Sequence, residues 1–80
     1  MDNEKILYVT SRLPVTERLC ALAEEATELA QAALKLRRVY DGTSPTPVHE
    51  EDAIDNVREE IADVWLIIKS LGLDEEPFVT

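Results

Sequence analysis

Apolar residues recur at Leu19, Leu22, Ala26, Leu29, Ala33 and Leu36, stepping alternately by three and four. That spacing keeps them on one side of a helix and predicts an amphipathic α-helix with a coiled-coil-like seam. Pro14 and Thr16 punctuate its start, with Thr16 as the expected N-cap. The predicted helix runs over roughly residues 16–39, about 36 Å at ~1.5 Å per residue. It stops before Asp41-Gly42-Thr43-Ser44-Pro45-Thr46-Pro47, a run of turn formers that reverses the chain. Thr46 and Pro47 fit an N-cap and first helical position, and Glu50, Glu51 and Asp52 suit the positive end of a helix dipole. A second long helix is therefore expected from about residue 47. Its seam is Ile54, Val57, Ile61, Val64, Ile68 and Leu71, and it closes at Gly72, a left-handed cap with Leu73 beyond.

Two such helices joined by a short loop predict an all-α fold, a helical hairpin of two long antiparallel helices. Ala, Leu and Glu dominate the composition, which agrees. Ile6, Val9 and Leu13 add a short N-terminal helix, while Asp74-Glu75-Glu76-Pro77 reads as the start of another helix, so the single domain spanning 1–80 reads as cut short at its C-terminus. The run Val64-Trp65-Leu66-Ile67-Ile68 is apolar all round a helix, more than one neighbouring helix can cover. Eighty residues also bury a small fraction of their surface. Covering that run needs a second subunit or further helices, and the expectation is a homodimer or homotetramer that completes a four-helix-type bundle.

Charge narrows the ligands. Seventeen acidic against eight basic residues give a net charge of −9, which repels nucleic acid and an anionic membrane surface. A phosphate compound could bind only with a divalent cation between it and the protein. A single cysteine, Cys20, excludes an internal disulfide and suits a reducing, cytoplasmic compartment. Neither a signal peptide nor a membrane span is legible.

The candidate chemistry lies in two acidic pairs, Glu25 with Glu28 on the first helix and Glu60 with Asp63 on the second. Residues three apart on a helix share a side, with Cβ atoms ~5–6 Å apart. At about 100° per residue from Leu22, Glu25 falls near −60° and Glu28 near −120°; from Ile61, Glu60 falls near −100° and Asp63 near −160°. Both pairs border the apolar seam on the same rotational side. In an antiparallel hairpin that side points to opposite flanks, so the pairs meet only if the contact line shifts towards the acidic edge. Four carboxylates with no neighbouring His or Cys favour Mg²⁺ or Mn²⁺ over zinc, and the Glu-x-x-His pairs of a di-iron bundle are absent.

Glu25-x-x-Glu28 followed by Glu60-x-x-Asp63 resembles the ExxE…ExxD signature of the MazG-like all-α nucleotide pyrophosphohydrolases. The surrounding residues are similar too: Glu24-Glu25-Ala26-Thr27-Glu28-Leu29-Ala30-Gln31-Ala32, Glu59-Glu60-Ile61-Ala62-Asp63-Val64-Trp65 and Leu71-Gly72-Leu73-Asp74. The likeness spans about residues 14–76. It implies that Glu25, Glu28, Glu60 and Asp63 are the ligands of Mg²⁺, and that the activity is hydrolysis of a nucleoside triphosphate to monophosphate and pyrophosphate by a homo-oligomer.

Within that expectation Glu25 is the residue assigned to orient or deprotonate water, with Glu24 as the alternative, and Lys35, two turns beyond Glu28, is the substrate-binding cation. Arg37 and Arg38 read as complements to the helix C-terminal dipole, Trp65 as core or subunit interface, and His49 as surface. Cys20 has no matching His and is not expected to be a nucleophile. The competing expectation is a catalytically inactive helical oligomerisation module with solvated acids.

Overall fold

The computed structural model describes residues 12–44 and 48–73. Two helices pack as a hairpin, α1 over Val15–Asp41 and α2 over Glu50–Ser70, and the described residues contain no strand. The short N-terminal helix expected from Ile6 and Val9, and the helix start at Asp74, lie outside the described residues. None of the described helices is long and apolar enough to cross a membrane.

The helix starts differ from those read in the sequence. Pro14, not Thr16, is the N-cap of α1, with φ −58° and ψ 158°, and its carbonyl accepts the Arg18 N–H at 3.0 Å. Proline's fixed φ and missing N–H suit it to this boundary, so Thr16 falls inside the first turn. The second helix begins at Glu50 rather than at 47, because His49 is extended at φ −68° and ψ 135°. Glu50, Glu51 and Asp52 do occupy its first turn, where the dipole favours them.

The ends follow the glycines. Gly72 (φ 70°) donates to the Lys69 carbonyl at 3.0 Å and Leu73 N–H to that of Ile68 at 3.3 Å, the paired bonds of a Schellman cap. Gly42 (φ 75°) closes α1, with its own N–H and that of Thr43 both directed to the Arg38 carbonyl. The Asp41 carboxylate accepts from the Thr43 N–H and hydroxyl just beyond the helix end.

The contact line between the helices follows the apolar seam only in part. On α1 the positions facing the partner are Leu22, Glu25, Leu29, Ala32, Leu36 and Val39, still alternating by three and four, whereas Leu19, Ala26 and Ala33 are exposed. On α2, Ala53, Asp63 and Ile67 are buried and Ile61 is half exposed. Both lines have rotated towards the acidic edge. The apolar stripe on each helix is wider than one contact, and the hairpin uses the side where the small Ala32 and Ala53 let the backbones close in.

Register ties the pieces together. The Arg18 guanidinium donates to the Ser70 carbonyl, joining the start of α1 to the end of α2. Seven residues along α1 is Glu25 and seven back along α2 is Asp63; a further seven gives Ala32 and Asn56. Each step is two helical turns on both helices, the repeat that keeps one side facing its partner in an antiparallel pair.

Candidate metal centre

The rotation of the contact line delivers acids into the interface. Asp63 is 1% exposed and Glu25 9%, and they are the only charged residues among the described ones to be buried. Glu60 lies one turn before Asp63 and is half-buried. One carboxylate oxygen from each of Glu25, Glu60 and Asp63 lies within 4.8 Å of the other two. Residues more than thirty positions apart thus meet at one point of the hairpin.

The electrostatics are those of a crowded, poorly solvated acidic site. Burial pushes the Glu25 carboxyl up to about 7; a hydrogen bond to Glu28 and the negative charges of Glu28, Asp63 and Glu60 add to the rise. Burial also raises Glu60, helped by Glu28 and Asp63, and raises Asp63, with Glu59 and Glu28 adding to it. Glu25 Oε2 and Glu60 Oε2 are buried oxygens with no hydrogen-bond partner. Buried acceptors without donors are uncommon, and each costs free energy unless something else meets it.

Of the four expected metal ligands, three form the cluster and the fourth stands beside it. Glu28 is exposed, one turn along α1, with its carboxyl against that of Glu25. It borders a hollow of about 530 Å³ that also takes in Lys35 and Arg38 from α1 and Asn56 and Glu60 from α2, with buried Ala32 at its base. Lys35 therefore sits on the same hollow as two of the acids.

No known family, curated protein or solved structure matches the chain. A donor set made wholly of carboxylate oxygens, two of them buried and without partners, fits a hard divalent cation.

Arg38 was not singled out as a site residue by the sequence, where its place near the end of α1 read as a dipole complement. The signal was there: Glu28, Lys35 and Arg38 are separated by seven and three, so all three share one side of the helix. Trp65 is half exposed and lies neither on the hollow nor in the hairpin core; Glu24, Cys20 and His49 are exposed.

Proposed function

We propose that the protein is a magnesium-dependent hydrolase that converts nucleoside triphosphates to the monophosphate and pyrophosphate, working as a cytoplasmic homodimer or homotetramer. The observation that carries this reading is the convergence of Glu25, Glu60 and Asp63, two of them buried, with unpartnered oxygens on Glu25 and Glu60. Glu25, Glu60 and Asp63 would hold Mg²⁺ or Mn²⁺, with Glu28 at the open side. The ion supplies charge neutralisation at phosphate oxygens and a lowered pKa for water. Glu25 would orient the attacking water and accept its proton. Lys35 binds the phosphate chain from the adjoining hollow.

A second reading, a catalytically inactive helical oligomerisation module, shares the oligomer with the first and rests on the exposed apolar residues alone. Leu19, Leu34, Ile61 and Trp65 are each about half exposed, at 45%, 50%, 51% and 50%. Large apolar side chains left uncovered on both helices suit a further helical partner. Incubating the protein with a panel of nucleoside triphosphates and Mg²⁺, and assaying pyrophosphate against orthophosphate, separates the readings. Pyrophosphate release supports the hydrolase, orthophosphate alone removes the proposed cleavage position, and no product from any substrate leaves the module.

A further inference from the structure

We propose that Arg18 is a positioning residue for the metal centre: by tying the start of α1 to the end of α2 it fixes the register at which Glu25, Glu60 and Asp63 meet. The proposal rests on the reading that those three acids hold a divalent cation. The Ser70 carbonyl is one of the last four of α2, which have no partner within the helix itself. Leu71, Gly72 and Leu73 turn their N–H groups back to the carbonyls of Ile67, Ile68 and Lys69. The Ser70 carbonyl is met from the other helix, by Arg18 Nη1 at 2.5 Å, 52 positions away in the chain.

Its place in the hairpin makes this contact matter to the acids and not only to the helix end. Glu25 lies seven residues from Arg18, about 10 Å along the axis, but sixteen residues, about 24 Å, from Asp41, where the chain turns. The clamp is thus the nearer of the two tethers on the acid layer. The cluster tolerates little sliding, since its three oxygens lie within 4.8 Å of one another and a slip by one helical turn moves α2 by about 5.4 Å. Little else along the contact line resists such a slip. Its buried apolar residues among those described are Ala32, Ala53 and Ile67, two of them too small to interlock, and carboxylates of like charge push apart until an ion joins them. Nor is the contact an efficient source of stability, because Arg18 Nε is buried without a partner. What it supplies is a defined geometry.

The test is to remove the donor and keep the packing. Mn²⁺ is titrated calorimetrically into the full chain and into its Arg18→Met, Arg18→Lys and Val39→Ala variants, at a temperature where melts followed by circular dichroism in chelator show each to be folded. Arg18→Met keeps a stem in the half-buried position and is expected to hold its melting temperature to within a few degrees, yet to bind Mn²⁺ about tenfold more weakly. Arg18→Lys retains a donor and is expected to fall between Arg18→Met and the parent. Val39→Ala trims the contact line near the loop and is expected to lower the melting temperature while leaving Mn²⁺ affinity unchanged. Charge alone predicts the opposite sign, since deleting a cation about 10 Å from the acids strengthens their pull on Mn²⁺. Arg18→Met binding Mn²⁺ as tightly as the parent, or more tightly, overturns the proposal while the metal centre stands. So does a loss that Val39→Ala matches, which traces it to stability. If Arg18→Met does not fold, Arg18→Lys is read against Val39→Ala: a greater loss in Arg18→Lys upholds the clamp and an equal one overturns it. If Mn²⁺ does not bind the unaltered protein, the metal reading fails and this proposal falls with it.

Discussion

Replacing Glu25 by Gln is expected to stabilise the metal-free protein at about pH 8 and to leave it nearly unchanged at about pH 5. Glu25 is 9% exposed, its Oε2 has no partner, and its carboxyl is raised from the ordinary 4.5 to about 7. Between those values the folded protein keeps a proton that the unfolded chain has released, so stability is full below the lower value and is lost as pH rises through the upper one. At about 1.4 kcal/mol per tenfold, the charged form of Glu25 costs at most roughly 3 kcal/mol once fully ionised. Glutamine removes the charge but leaves a polar amide in the same place, and an unmet amide costs ~1–3 kcal/mol. Because the amide can donate to the adjacent Glu28 carboxylate, that penalty is partly offset. A net gain of about 1–2 kcal/mol follows, or ~5–10 °C for a domain of this size. Thermal melts followed by far-ultraviolet circular dichroism, with chelator present and protein concentration fixed, read it directly. An unchanged Tm at the higher pH, or an equal gain at both, would refute the argument.

Two further outcomes are expected. Asp63→Asn, at a site 1% exposed, is expected to weaken Mn²⁺ binding more than about tenfold by calorimetry, whereas Glu51→Gln in the exposed first turn of α2 leaves it unchanged; equal small effects at both would end the metal-centre reading. Trp65→Ser is expected to shift the protein from an oligomer towards a 9.0 kDa monomer in sedimentation, since a buried aromatic anchor contributes about 2 kcal/mol or more to an interface; a monomeric parent protein at micromolar concentration contradicts this.

The hairpin was legible because its signals are local. Gly42 and Gly72 sit where left-handed caps are needed, and the three-and-four stepping of Leu22, Ala26, Leu29, Ala33 and Leu36 marks α1 without reference to anything distant. The contact line was not, for a definite reason. An apolar seam records where hydrocarbon lies along a helix, not where two helices touch. Positions 25 and 63 belong to the contact line but carry acids, so a reading of apolar positions passes over them and assigns Leu19 and Ile61 instead. The candidate acids were identifiable as two spaced pairs, yet their meeting depended on the rotation of both helices, which is a tertiary quantity. Arg38 stands in the last turn of α1, as the dipole reading expected, and also borders a hollow formed with another element, which no local rule reveals.

The layer formed by Glu25 and Asp63 has a consequence for how such a chain can change over generations. Buried charges replaced by apolar side chains of similar size commonly leave a protein as stable or more so, and few chains sit near their stability optimum. At these two positions the substitutions that would most improve the packing of the hairpin are the ones that delete its acids. Selection for stability and selection for whatever the carboxylates bind therefore pull on the same residues in opposite directions. With only Ala32, Ala53 and Ile67 as buried apolar residues among those described, there is little core elsewhere in which the hairpin could recover what the acids cost.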